Sequence, residues 1–267
     1  VLSAFGKTLK TEGNQNNDIG VPNTLFRLDN DTRYAVVEMG MDHLGEIERL
    51  TRCARPSAGI ITMIGVSHLE NLGTRENILK AKMEICAGLP DGAPLALNAD
   101  NDLLPTASVP ARLRPVWFGI ESDTADVRAA DVHTGTEGTT FTLVDKAYGS
   151  FAVSIPTAGL HTVYDALAAY AAATRLGLDP ARCAAALSRY QATGMRQHIV
   201  EKGGITFIED CYNASPDSMK AALSVLKALP NARKIALLGD MLELGDASES
   251  GHRATGEWAA DAGVSLL

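Results

Sequence analysis

The chain has 267 residues, 46% hydrophobic and 21% charged, with 24 Lys and Arg against 32 Asp and Glu, a net charge of −8. That length allows one large domain or two with a sizeable core, and the composition excludes disorder, collagen and coiled coil. An acidic chain matches a phosphate backbone poorly, so no nucleic-acid partner is expected. No apolar run approaches the ~18 residues of a membrane-spanning helix, and the start has no signal-peptide shape. The chain lacks an initiator Met, opens inside an apolar pattern and ends within a strand pattern, AADAGVSLL. A fragment cut at both ends is expected. Cys53, Cys86, Cys183 and Cys211 form no CxxC pair. They fit thiols in a reducing cytosol, acting as small core hydrophobes, and a cytoplasmic location is expected.

Elements alternate along the chain. KTLK (7–10) reads as a short strand and Tyr34 to Val37 as a buried one. Helical spacing follows over 43–54, a β-branched strand over 58–64, an amphipathic helix over 74–89 and a further strand from Pro94 to Leu97. Strand, helix, strand, helix implies a parallel sheet with right-handed crossovers. From 115 to 155, short Thr-, Val- and Phe-rich runs with Gly turns at 135, 138 and 149 predict an antiparallel patch on the sheet's edge. An Ala-rich helix covers 159–176 and another about 180–190. A second α/β unit then opens, with a boundary near 193–196. Its strand 205–208 precedes a helix over 216–229 with Ser215 as N-cap and Pro at the first position. A strand over 235–238 and a helix over 248–262 follow.

Gly6-Lys7-Thr8 imitates the end of a phosphate loop, but the required earlier Gly is Val1 and no strand precedes it. TEGNQNNDIGVPNTL (11–25) concentrates Asn donors and acceptors with Gly that allows close approach of a ligand. An ordinary loop is the competing reading. Glu38 follows the Tyr34–Val37 run, and His68 stands just past the next strand. Side chains at the C-terminal ends of parallel strands face the crevice where α/β sheets bind ligands, and carboxylate with imidazole suits a divalent cation. A surface Glu and a loop His remain the alternative, and Glu70 is a weaker third candidate. Lys82, in KAKMEI, reads by itself as part of a solvated helix face. EDCYNASPDSMKAAL (209–223) places Asp210, Tyr212 and Asn213 at a strand end before a helix N-terminus, where a ribose, a ring or an anion can sit. LLGDMLELG (237–245) repeats the arrangement one strand later.

Together, TEGNQNNDIGVPNTL, VVEMGMDHLGEI, SHLENLGTRENILKAKMEI, LNADND, GLHTVYDALAAYAA, DCYNASPDSMKAAL and LLGDMLELG resemble the Mur ligases of bacterial cell-wall synthesis, in the family order and across nearly the whole chain. GNxNNxIGxPxTL with YNAxPxSM points to the branch that adds D-alanyl-D-alanine to UDP-N-acetylmuramoyl-tripeptide. The resemblance implies a P-loop-type central ATPase domain, residues 1–194, built on a mostly parallel sheet with the antiparallel edge patch and lacking its phosphate loop. It also implies a truncated Rossmann-like C-terminal domain, residues 195–267. The cofactors would be ATP and Mg2+ at two sites, the partners the nucleotide-sugar tripeptide and the dipeptide, and the chain a monomer, inactive by itself. Glu38 would hold the Mg2+ that bridges the ATP phosphates and His68 a second. Lys82 would be the family's carbamylated lysine, a cation turned into a carboxylate-like ligand. His161 and Asp165 would pack against adenine, and Arg196 would reach the γ-phosphate on domain closure. Asp210, Tyr212 and Asn213 would line the nucleotide and acceptor side of the last domain, and Thr11, Asn14, Asn16 and Asn17 would face the nucleotide-sugar peptide. Two positions depart from the family, which has Asn where Asp165 stands and often at Met63. A sister ligase or folylpolyglutamate-type ligase, a non-catalytic nucleotide-binding module and a Rossmann dehydrogenase are the competing readings. The dehydrogenase lacks its GxGxxG after a strand.

Overall fold

The computed structural model describes residues 1–135, 138–191, 196–230 and 233–267. The boundary expected between 194 and 195 lies outside the described residues. After a 3-10 turn at 2–4 come β1 (Thr8–Lys10), α1 (Gly20–Leu25), β2 (Tyr34–Val36), α2 (Glu46–Ala54), β3 (Gly59–Ile61), α3 (Leu69–Leu72), α4 (Arg75–Met83) and β4 (Pro94–Asn98). Next are β5 (Arg114–Gly119), β6 (Val127–Gly135), β7 (Gly138–Asp145), β8 (Gly149–Ile155), α5 (Leu160–Arg175) and α6 (Pro180–Leu187). Last are β9 (His198–Lys202), β10 (Ile205–Glu209), α7 (Pro216–Ala228), β11 (Lys234–Ile235), α8 (Ser248–Asp261) and β12 (Val264–Leu266).

The main sheet runs β3-β4-β5-β6-β7-β8, parallel from β3 to β6 and antiparallel from β6 to β8. The expected antiparallel patch is thus present at one edge. β4 is buried along its length because both its faces are covered. Leu95 and Leu97 point into a core with Ile61, Ile64, Ile78 and Leu104. Ala96, one residue out of phase, joins the opposite core with Phe118, Val127 and Leu143. α5 covers that second face. Ten of its sixteen residues are buried, half of them Ala, so its backbone lies close to the sheet around Val163, Leu167 and Tyr170. Fully burying a Leu of this kind contributes about 2 kcal/mol. Arg175 in the last turn ties α5 to the buried Asp145 at the end of β7, with bonds of 2.6 and 2.9 Å.

Several elements depart from their expected form. The Tyr34–Val37 run is not a buried strand of the main sheet. Among the described residues β2 pairs only with β1, and Ala35 and Val36 are exposed. An apolar run is buried only where a neighbour covers it, which its own pattern cannot state. The single helix expected over 74–89 stops at Met83 and tightens into a 3-10 turn over 84–88. There the Glu84 carboxylate accepts the backbone N–H groups of Gly45 and Glu48, at 2.7 and 3.3 Å, at the N-terminus of α2. β10 has an antiparallel partner, β9, which the pattern reading missed. Gly203 and Gly204, with φ of 60° and 75°, supply the two left-handed positions of their turn. β11 covers only two of the four expected residues, and Leu237 is 93% exposed. It pairs in parallel with β12 across α8. α7 starts as expected, with Pro216 at the first position and Ser215 exchanging capping-box bonds with Ser218. Met219, Met241 and Leu244 of the second unit pack with Val66 of the first, which joins the two parts through an apolar contact. Cys86 and Cys183 are buried as small hydrophobes, whereas Cys53 and Cys211 are exposed. Among the described residues no helix is long and apolar enough to cross a membrane.

Candidate functional site

Past the end of β2 the chain turns through Glu38. Its backbone N–H donates to Thr11 Oγ1 at 2.9 Å, and one carboxylate oxygen accepts from the Asn16 amide at 3.0 Å. Gly40 N–H donates to the Asn16 carbonyl at 2.8 Å. A Cβ on Gly40 would lie 2.9 Å from the Asn16 amide, so only glycine lets the two segments approach this closely. Thr11, Asn16 and Glu38 therefore form one cluster. Asn17 does not join it, because its side-chain oxygen accepts the N–H groups of Ile19 and Gly20 at the start of α1. Asn14 is exposed.

His68 caps α3 in a left-handed conformation, φ 63°. Its Nδ1 lies 2.8 Å from an Asp42 carboxylate oxygen and 2.6 Å from one of Glu243. The Glu243 carbonyl accepts Glu70 N–H at 3.1 Å. Asp42, His68 and Glu243 bring their ligating atoms within 4.8 Å of one another. Glu38 is not a member of that group, in which His68 meets two other carboxylates. Asp42 and Glu243 lie inside the blocks VVEMGMDHLGEI and LLGDMLELG, but nothing in their spacing marks them as neighbours.

Lys82 on α4 does not face solvent as a helix pattern suggests. It reaches the backbone carbonyl of Met63 at 2.9 Å. Desolvation lowers its pKa from the ordinary lysine value, and the Asp217 carboxylate opposes that shift. The Met63 departure bears little on this contact, because the acceptor is the backbone. Asp217 belongs to the first turn of α7, and a Cβ on Gly65 would lie 2.5 Å from its carboxylate. The second unit thus presses an acid against the loop after β3. Sequence reading passed over this residue. Arg75 nearby holds Asp102 with two bonds of 2.6 Å and donates to the Ile64 carbonyl at 2.8 Å.

A cleft of about 430 Å³ opens between the start of α5 and the side of α7. Gly159, Leu160, His161 and Tyr164 line one wall, and Lys220, Ala221, Ser224 and Val225 line the other. Below it, the Asp100 carboxylate accepts the backbone N–H groups of Ile120, Glu121 and Ser122 at 2.6 to 2.9 Å and the Tyr164 hydroxyl at 2.9 Å. Desolvation alone would raise its pKa, but these donors outweigh it and hold the carboxyl below the ordinary value. His161 Nε2 lies 3.0 Å from Gln197 Oε1. Gln197 N–H in turn donates to Asp210 at 3.3 Å. Asp165 keeps an open surface but is crowded on its other sides, and desolvation pushes its carboxyl up, opposed by His161. Arg196 lies 4.3 Å over the Tyr212 ring. Asn213 accepts Ala214 N–H at 2.8 Å in the turn before α7.

The family model for the Mur ligase middle domain matches residues 1–173, and that for the Mur ligase, glutamate ligase domain matches 195–267. The UDP-N-acetylmuramoyl-tripeptide–D-alanyl-D-alanine ligase of Bacillus subtilis is 41% identical over 258 residues, 96% of this chain and 55% of that protein. The ligase of that name from Escherichia coli is 39% identical over 267 residues, 99% of this chain and 58% of its own length. Among solved structures, MurF from Acinetobacter baumannii superposes with a TM-score of 0.89 at 34% identity, over 97% of this chain and 56% of that one. The MurF ligase of Thermotoga maritima in complex with ADP gives 0.85 at 27% identity, over 97% and 59%. The chain spans little more than half the length of these relatives.

Proposed function

The chain belongs to the Mur ligase family, and we propose that within its full-length protein it carries most of an ATP-dependent ligase that joins D-alanyl-D-alanine to UDP-N-acetylmuramoyl-tripeptide. Residues 1–194 would be the ATP-binding domain and 195–267 the first part of the C-terminal domain. The observation that carries this reading is identity of 39–41% with ligases of that name over 96–99% of the chain.

The reaction has two steps. The tripeptide carboxylate attacks the ATP γ-phosphorus, ADP leaves, and an acyl phosphate forms. The dipeptide amine then attacks the acyl carbon, loses its proton and expels phosphate. A carboxylate is a poor electrophile because its leaving group is oxide, and phosphorylation supplies a good one. Transfer between two anions needs charge neutralisation, which Mg2+ supplies when bound. The donors fit such a cation. Glu38 has one oxygen bonded by Asn16 and the other available, and His68 and a carbamylated Lys82 would add an imidazole and a further carboxylate. Burial of Lys82 favours the neutral amine, which is the form that adds carbon dioxide and then loses a proton.

The apolar cleft beside His161 and Asp165 suits a purine, with few polar groups at its rim. Arg196, held over the Tyr212 ring, would meet the γ-phosphate, and Asp210, Tyr212 and Asn213 would border nucleotide and acceptor. Thr11, Asn14 and Asn16 would contact the nucleotide-sugar peptide while Asn17 shapes their loop. Closure of the second unit over the first would exclude the water that hydrolyses acyl phosphates. The test is ADP release by the full-length protein given UDP-N-acetylmuramoyl-tripeptide and a panel of amines. Release that depends on D-alanyl-D-alanine is expected. Release with another amine would make it a sister ligase, and none with any amine would overturn the reading.

A further inference from the structure

Gln197 stands in no motif and is not a candidate from the sequence. It is 8% exposed and holds a left-handed backbone, φ 50°, which a non-glycine residue adopts only under local constraint. Two bonds supply that constraint. Its N–H reaches Asp210 of the second unit at 3.3 Å, and its side-chain oxygen meets His161 Nε2, at the start of α5, at 3.0 Å. Its own Nε2 has no hydrogen-bond partner among the described residues.

That bond decides the chemistry of His161. A neutral imidazole has one N–H and one bare nitrogen. With Nε2–H donated to the Gln197 oxygen, Nδ1 is the bare acceptor. His161 lines the cleft, and the Cε1–Nδ1 edge of its ring packs beside Gly159, another cleft residue, where a Cβ would sit 2.6 Å from Cε1 and 2.9 Å from Nδ1. We propose that Gln197 is a positioning residue for base recognition: it fixes the His161 tautomer so that the cleft offers Nδ1 as an acceptor and prefers a purine carrying an exocyclic amine over one carrying a keto oxygen. The proposal rests on the reading that the cleft takes the base of the nucleotide. A keto group would set two acceptors against each other, whereas an amine donates.

The test compares ATP with inosine triphosphate as kcat/KM ratios in the full-length enzyme. Gln197→Met keeps the volume and removes the acceptor. The preference for ATP is expected to fall about tenfold, the size of one lost hydrogen bond, while kcat with saturating ATP stays within a few-fold. A ratio within twofold of the unaltered enzyme overturns the proposal. Nitrogen-15 spectroscopy of the His161 ring in the unaltered 267-residue chain gives a reading that needs no variant. Nε2 protonated and Nδ1 bare is expected, and the reverse overturns the proposal. If the full-length enzyme turns over no nucleotide with any amine, the ligase reading fails while the ring spectrum still decides the tautomer.

Discussion

Glu38 is exposed, and among the described residues only the Thr11 hydroxyl and the Asn16 amide hold it in place. A residue so placed contributes little to the fold, so Glu38→Ala is expected to leave the melting temperature within a degree or two while ligase turnover in the full-length protein is lost. His68→Ala is expected to behave alike in turnover. Near-normal turnover in both variants, measured beside circular dichroism, would remove their assigned roles. Asp165 presents an acid, with its carboxyl pushed up by desolvation, where the resemblance leads one to expect an amide. Asp165→Asn is expected to lower the KM for ATP several-fold, and an unchanged KM would show that this side chain does not meet the base. At this scale, Glu38, His68 and Lys82 stood out in the sequence because each belongs to a recognisable block. Asp42, Asp217 and Gln197 were not. Their significance lies in what they touch across the fold, His68, the loop after β3 and His161, and no spacing along the chain encodes such contacts.

Local chemistry set three of the helix starts, with Thr74, Asp179 and Ser215 capping α4, α6 and α7. Ser215 exchanges bonds with Ser218 at the N-terminus of α7, so Ser215→Ala is expected to cost about 1 kcal/mol and lower the thermal midpoint of the chain by a few degrees. A melt superimposable on that of the unaltered chain would show that the cap is dispensable. Asp100 joins the end of β4 to the 120–122 loop and to Tyr164 of α5. Its folded pKa is held below the unfolded value of 3.8. The stability it adds is therefore present in full above that value and is lost as pH falls through the lower folded value. Asp100→Asn is expected to destabilise the chain at neutral pH and to flatten the acid limb of its stability profile between about pH 5 and pH 2. Denaturant melts across that range would show an unchanged slope if the carboxylate carried no such linkage. Element lengths were harder to read than element types. The 74–89 helix ends early because Glu84 serves α2, and β9 escaped notice because its residues lack the alternation that marks a half-buried strand.

Two parts of the chain meet around Lys82. Its acceptor, Met63, lies in the first part, and Asp217, which acts on its charge, comes from the second. If the buried amine is the carbamylation site, full-length activity is expected to fall when bicarbonate is stripped and to recover when it is restored, while Lys82→Ala stays inactive in both conditions. Activity of Lys82→Ala comparable to the unaltered enzyme would end that assignment. The sequence by itself determined the α/β class, the parallel sheet with its antiparallel edge, the capped helix at Ser215 and the family, because periodicity, capping and motif order are properties of neighbours along the chain. Tertiary structure alone decided that β2 is exposed on the face expected to be buried, that Lys82 turns inward to a carbonyl, and that His68 meets Asp42 and Glu243. Burial and ligation depend on which distant segments arrive at a surface, and desolvation and charge act through space whatever the separation in sequence.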